Sequence, residues 1–407
     1  MTLRSWRPHD IRAMHRGLLL RLLDEHGPMT RGELARRTGL SLPSISAVTA
    51  DLAAMGCLAE AGRQSSGARR GRTGTVLRLA RDSYVVAGVA IDVGRVRAGL
   101  CDLSTSIIVS AETAYRPDAA PAEVLDTAIA AARPLLRMAP APLVGIGVAV
   151  PGSVDTTGRR NLDSYRLGWH DVPVADLVER ELGAPTLVEY NVRAIALAES
   201  QRTPDGQNLL YLHVGTGVGL ALVVDGQIVR HGVPELGHHP MAAGPPCACG
   251  GEGCLEALVA LPYLQARVDA AALHSGTLAA ALADGHPPLT ALHAAGEAGD
   301  GRATAILTDY VCHLADGLAI AVNLLSPARV VLGGILGTAP ETVLHRIQAG
   351  VRAKACRPLR DGLHIELSTL DTLPDVRGAA AVALNSFFYA DGPDPGAPRR
   401  KVAARRR

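Results

Sequence analysis

Apolar positions in the first eighty residues recur at helical spacing, then give way to short runs around a polar loop. Leu18, Leu19, Leu22 and Leu23 form a stripe on a helix predicted over residues 11–26, and Gly27-Pro28 stops it. Thr30-Arg31-Gly32-Glu33 has the spacing of a capping box and starts a short second helix, which Gly39 ends. Ser41 is placed to cap a third helix, with Pro43 tolerated in its first turn. Ile45, Val48 and Leu52 form its inward stripe, and it ends near Gly56. Cys57-Leu58-Ala59-Glu60 and Val76-Leu77-Arg78-Leu79 read as two strands around a loop rich in Gly, Ser and Arg over residues 62–74. Three short helices with a tight turn between the second and third, followed by a hairpin, predict a winged helix-turn-helix over residues 1–80.

From residue 84 the pattern becomes α/β. Buried strands are predicted over residues 84–91, before Asp92-Val93-Gly94, and over 143–150, before Pro151-Gly152. Two more precede Gly215-Thr216-Gly217-Val218-Gly219 and Gly333-Gly334, and the alanine-rich residues 121–137 read as helix. Strands that end in glycine turns and alternate with helices imply an α/β sheet with a ligand at the strand ends. This second domain spans residues 84–390, and the Pro-rich, basic residues 391–407 are predicted to be a disordered tail.

The net charge of +2 conceals a division along the chain. Residues 1–80 hold thirteen Arg against six Asp or Glu, and residues 391–407 hold six Lys or Arg against two Asp, which leaves the stretch between them acidic. A basic head on an acidic body suits a module that meets phosphate joined to one that does not. With 48% hydrophobic residues the chain can fill real cores. No run of eighteen uncharged apolar residues occurs, and residues 1–10 lack the apolar segment of a secretory signal, so a cytoplasmic protein with no membrane association is expected. Three of the seven cysteines crowd into Cys247, Cys249 and Cys254, which favours a metal over a disulfide framework.

Several ordered motifs resemble those of the ROK family (repressor, open reading frame, kinase), part of the actin-like sugar-kinase superfamily. They are residues 145–152 (GIGVAVPG), the glycine turn at 215–219, Glu235-Leu236-Gly237-His238, residues 247–256 (CACGGEGCLE) and Val331-Leu332-Gly333-Gly334. The resemblance covers nearly the whole chain and implies a two-lobed, actin-like sugar-kinase-like domain. The leading helix-turn-helix places the chain with the regulators of that family.

His238, Cys247, Cys249 and Cys254 supply one nitrogen and three sulfurs, a set that suits closed tetrahedral zinc. Four protein ligands leave no position for a catalytic water, so the metal is expected to be structural. The glycines at 250, 251 and 253 let the loop wrap. The resemblance implies the same ligands.

In ROK kinases an Asn-Asp pair, the Glu and His of a Glu-x-Gly-His motif, and a Glu after the last zinc cysteine hold the sugar. Asn191, Glu235, His238 and Glu256 match these in turn, whereas Val192 stands where the family's general base would be. Losing a base removes roughly 10² to 10⁴ in rate. The first phosphate turn also departs from the kinase pattern: it reads Gly94-Arg95-Val96-Arg97, which crowds the backbone approach to phosphate and removes a hydroxyl. Kinase activity is therefore expected to be absent. The remaining polar residues either form a sugar or sugar-phosphate pocket or, in the case of Glu235 and Glu256, brace the zinc loop.

On the third helix the outward face presents Pro43, Ser46, Ala47 and Ala50 beside Ser41, Ser44 and Thr49. These short, uncharged readers limit direct readout to hydroxyl hydrogen bonds and methyl contacts. Arg36, Arg37, Arg63 and the wing arginines Arg69, Arg70 and Arg72 are expected to follow phosphates or enter a narrow minor groove. The sequence thus predicts a repressor-type regulator, a homodimer or homotetramer, that binds operator DNA and answers to a sugar. The alternatives are a sugar kinase carrying a DNA-binding domain and a regulator with a vestigial pocket.

Overall fold

The computed structural model describes residues 8–64, 74–202, 208–230, 235–370 and 372–390. The chain divides into two compact units, one made of Met1–Pro204 and Thr372–Arg407, the other of Asp205–Asp371.

In the first unit, helices Pro8–Glu25, Arg31–Thr38 and Leu42–Ala54 lie where the periodicity predicts them. Thr30 Oγ1 accepts from Glu33 N at 3.3 Å while Thr30 N donates to the Glu33 carboxylate at 2.8 Å, which closes the capping box. Gly39 ends that helix with φ 71°, and Ser41 caps the next by accepting from Ser44 N at 3.3 Å. The strands of the hairpin are Leu58–Gln64 and Gly74–Leu79, and Met29–Thr30 adds a third, which the sequence pattern did not single out. The inward face of the first helix differs from the predicted stripe. Leu19, Leu20 and Leu23 are buried, whereas Leu18 shares the outer side with Ile11 and Met14. At 100° per residue Leu20 falls in the sector of Leu19 and Leu23, and Leu18 falls outside it.

The core of these helices does not close at residue 80. It continues through Val86, Cys101 and Leu103 into Ala380, Ala383, Leu384, Phe388 and Tyr389. Polar ties reinforce it: Tyr84 OH donates to the Met55 carbonyl at 3.0 Å, Arg21 Nη2 to Asn385 Oδ1 at 2.8 Å, and Tyr389 OH to the Leu103 carbonyl at 3.3 Å. The described residues of this N-terminal segment thus share one hydrophobic cluster with the α/β sheet behind them.

That sheet has the order Thr186–Tyr190, Leu143–Val150, Val85–Asp92, Arg95–Cys101, Ile107–Ala114. The second unit repeats it in reverse order across the sheet, with Gln227–Ile228, Val218–Val224, Leu209–Val214, Arg329–Gly334 and His364–Leu367. In each, the central strand pairs antiparallel with the next strand in the chain and parallel with one reached after intervening helices. One mixed-sheet connectivity is thus used twice, as in the actin-like sugar-kinase fold.

Helix Pro374–Phe387 brings the chain back onto the first sheet. Gly99, Gly88 and Gly147 are register partners across three neighbouring strands. A Cβ at Gly88 would lie 2.1 Å from the Val376 carbonyl and one at Gly147 1.8 Å from that of Ala379. The three glycines open a groove in which the helix lies against the strands. In the second unit the apolar helix Gly301–Leu325 is long enough to cross a membrane, yet Leu307, Tyr310, Leu314, Leu318 and Val322 bury its inner stripe in that unit's core.

Candidate metal centre and nucleic-acid face

Turn Leu236–His238 and the loop that follows bring four ligand atoms together in the second unit. The donor atoms of His238, Cys247, Cys249 and Cys254 all lie within 4.8 Å of one another. Cys249 Sγ is 3.7 Å from Cys254 Sγ, and Cys247 Sγ is 3.6 Å from His238 Nδ1. A tetrahedron with the usual zinc bond lengths has S–S edges of about 3.8 Å and N–S edges of about 3.6 Å. The cluster therefore has the size of a closed tetrahedral site.

The loop is built to hold that size. Cys247 N donates to the Gly251 carbonyl at 2.8 Å and Gly250 N to that of Cys247 at 2.9 Å. Gly253 has φ 62°, and a Cβ there would lie 1.6 Å from the Ala242 carbonyl, while one at Gly251 would press on the Cys254 and Cys249 sulfurs at 3.3 and 3.5 Å. Burial pushes the Cys254 thiol up to about 12, and the crowding thiols of Cys249 and Cys247 add to the effect. The Gly251 backbone amide acts in the opposite direction on Cys249, holding it below the usual thiol range. As thiolates at this spacing the three sulfurs would need a cation beside them, and the four groups could hold a metal ion.

The predicted sugar residues fall in both units. In the first unit Asn191 opens helix Asn191–Ser200, half-buried, with its Oδ1 accepting from Val192 N at 2.9 Å. In the second unit Glu235 is exposed, and its carbonyl accepts from His238 N. Glu256 is buried; its Oε2 accepts from Val218 N at 2.9 Å, inside the 215–219 glycine turn, and its Oε1 lies 4.0 Å from Cys247 Sγ. Glu256 thus ties the cysteine loop to the glycine turn. Val192 is only 3% exposed, on a helix whose residues 192–199 are all buried. The half-buried side chains at this strand–helix junction are those of Tyr190 and Asn191. Neither Tyr190 nor Asn191 is a carboxylate. Beside them Arg193 Nε donates to Glu189 Oε1 at 2.7 Å in a buried pair.

The turn at residues 92–97 shows a feature the sequence could not disclose. Arg97 Nε donates to Glu112 Oε2 at 2.7 Å and Nη1 to Asp375 Oδ2 at 2.7 Å. One arginine is thus held by two carboxylates, the second from the first turn of helix Pro374–Phe387. Val96 is fully buried.

On helix Leu42–Ala54, Ser41, Pro43, Ser46, Ala47 and Ala50 are exposed and Ser44 is half-buried, as expected. Thr49 is not on that face. It is fully buried, accepting from Arg31 Nε at 3.0 Å and donating to the Ser46 carbonyl at 3.2 Å, so it is withdrawn as a base-reading candidate. Leu42, which the sequence reading passed over, is 56% exposed. Arg36 and Arg37 are exposed at the end of the preceding helix. Arg69, Arg70, Arg72 and the tail at 391–407 lie outside the described residues, as does the Arg63 side chain.

The sequence profile of the ROK family matches residues 87–386. The chain belongs to the ROK family. It is 24% identical over 389 residues to the DNA-binding transcriptional repressor Mlc of Escherichia coli, covering 92% of this chain and 93% of that protein. It is 31% identical over 239 residues to a glucokinase of Halalkalibacterium halodurans, covering 56% of this chain and 72% of the glucokinase. A solved ROK family transcriptional regulator, described as a homolog of the E. coli MLC protein, superposes with TM-score 0.76 at 22% identity, covering 92% of this chain and 96% of that one. Among these three, the regulators extend over the N-terminal helices as well as the ROK domain.

Proposed function

We propose that this ROK protein is a DNA-binding transcriptional regulator, a repressor of carbohydrate genes, whose sugar-kinase-like domain senses an effector and does not phosphorylate it. The observation that carries this reading is the N-terminal helix set: an uncharged outward helix face bordered by Arg36 and Arg37, packed through one core onto a ROK domain. The helices and hairpin act as a winged helix-turn-helix, with Leu42–Ala54 in the major groove and basic side chains on the phosphates. His238, Cys247, Cys249 and Cys254 hold one structural zinc ion. It fixes the loop that Glu256 joins to the glycine turn and takes no part in chemistry. Asn191 in the first unit and Glu235, His238 and Glu256 in the second are proposed to recognise a sugar or sugar phosphate. The protein acts in the cytoplasm as a homodimer or homotetramer on a two-fold operator.

Loss of kinase activity is supported by the first phosphate turn. Arg97 is already neutralised by Glu112 and Asp375, which leaves that turn with no net positive charge from this triad to offer a nucleotide. The identity with a glucokinase keeps a second reading, a sugar kinase with an attached DNA-binding domain. Fluorescence anisotropy of the zinc-loaded protein on DNA from upstream of its own gene, over a salt series and with a panel of sugars and sugar phosphates, separates the readings. Specific, salt-sensitive binding that one sugar changes supports the sensor. Specific binding indifferent to every sugar favours a vestigial effector site, and sugar-dependent ATP consumption without specific DNA binding favours the kinase.

A further inference from the structure

We infer that Leu42 is a specificity-determining residue that reads thymine methyl groups in the major groove, so that each operator half-site carries thymines facing the first turn of helix Leu42–Ala54. The inference rests on the DNA-binding reading above.

The exposed side chains on the first turns of this helix are Leu42, Pro43, Ser46, Ala47 and Ala50. None is an arginine, lysine, asparagine or glutamine, so the bidentate contacts that select guanine or adenine are not available there. The hydroxyls of Ser41 and Ser44 lie 2.9 Å apart, and Ser41 also caps the helix, so both have partners within the turn. The first charge on the helix, Asp51, is paired with Arg12 at 2.6 and 2.7 Å.

Leu42 is the large side chain left on this face. At 56% exposure it belongs neither to the core cluster of the DNA-binding helices nor to the residues packed against it, so folding does not require an apolar group there. Base edges in the major groove offer one apolar group, the C5-methyl of thymine. The surroundings fit that occupant: Arg36 and Arg37 are exposed in the last turn of the preceding helix, and residues 1–80 hold thirteen Arg against six acidic residues. This charge is complementary to a phosphate backbone rather than to a second copy of the same basic surface.

The test uses the full-length, zinc-loaded protein. Duplexes are selected by the protein from a randomised pool, and each thymine in a selected half-site is replaced in turn by uracil, which removes the methyl and keeps the pairing. Uracil at the contacted positions is expected to weaken binding about fourfold per methyl. Leu42→Ala is expected to lower specific affinity about tenfold and to abolish the uracil effect, with thermal midpoint, oligomeric state and the salt slope of non-specific binding unchanged. Selected half-sites without thymine at these positions, uracil duplexes bound as tightly as thymine ones, or a Leu42→Ala variant that keeps the uracil effect would each overturn the inference while the regulator reading stands. Leu42→Ala acting through a changed oligomeric state overturns it as well. Failure to enrich any sequence from the pool defeats the regulator reading and the inference together.

Discussion

Introducing aspartate at Val192 tests whether a catalytic base belongs there. A simple restoration argument predicts that Val192→Asp revives phosphoryl transfer; the structure predicts that it damages the first unit. Val192 is 3% exposed on a helix whose residues 192–199 are all buried, and the backbone of that helix at Ala194 and Ile195 sits directly on Gly378. Keeping a buried carboxyl neutral at pH 7 costs about 4 kcal/mol, and losing the burial of a valine adds about 1.5 kcal/mol. Against a domain stability of about 5–15 kcal/mol the damage is severe. With a denaturant slope of about 2–3 kcal/mol/M, the urea midpoint should fall by about 2 M. Buried Trp169 lies in the same unit, so its fluorescence can follow the transition. Asn191→Asp is the control: it keeps the shape and the acceptor for Val192 N, and a carboxylate suits a helix N-terminus. This variant should unfold at the wild-type midpoint and still turn over no ATP, because Arg97 remains tied to Glu112 and Asp375. A Val192→Asp protein as stable as wild type, or one with sugar-dependent ATP turnover, would refute the burial argument.

Removing the metal with a chelator, or replacing Cys249 by Ser, should release one equivalent of zinc per chain and lower the melting temperature of the second unit, measured by metal analysis and calorimetry on the same sample. Glu33→Ala should cost about 1 kcal/mol at pH 7. The Glu33 carboxyl is held below its ordinary value by the Thr30 amide and hydroxyl. Its stabilisation is therefore complete above the unfolded value of about 4.3 and is lost as pH falls through the lower folded value, so wild-type and variant melting temperatures should converge in acid. Phe388→Ala should cost about 3–5 kcal/mol and lower hydrogen-exchange protection in helices Pro8–Glu25 and Leu42–Ala54, because Phe388 is fully buried in the core they share.

What could be read from the sequence was local. The capping box at Thr30 and Glu33, the cap at Ser41 and the turn at Gly39 each depend on a few adjacent residues, and each recurs in the structure. The cluster of four candidate metal ligands was legible for the same reason: it comes from one short stretch whose glycines show how tightly it folds. Features set by distant packing were not legible. Arg97 acquires its meaning from Asp375, and Gly88, Gly99 and Gly147 acquire theirs from a helix near the other end of the chain. A wheel drawn on helix Leu42–Ala54 left Thr49 on the flank, but Arg31 on the neighbouring helix provides the partner that lets it be buried. Motif alignment likewise gave no sign that Val192 lies on a helix whose residues 192–199 are all buried.

The shared core also bears on how an effector could reach DNA. A ligand changes DNA affinity only if it binds two arrangements of the protein unequally, and that difference has to be carried to helix Leu42–Ala54. Were residues 1–80 a module on a flexible linker, the difference would dissipate in the linker. Here Ala80 accepts from Ser83 N, Tyr84 OH bonds the Met55 carbonyl at the end of the proposed reading helix, and Arg81 pairs with Asp24 at 2.8 Å, so the connection is itself packed. The chain leaves the second unit at Asp371, and helix Pro374–Phe387 follows at once. Asp375 near the start of this helix grips Arg97 on the sheet, Asn385 near its end takes a hydrogen bond from Arg21, and Phe388 just beyond it enters the core of the N-terminal helices. Within the first unit one helix therefore ties the sheet to the N-terminal helices, and tightly packed interiors pass on displacements that a loop would absorb.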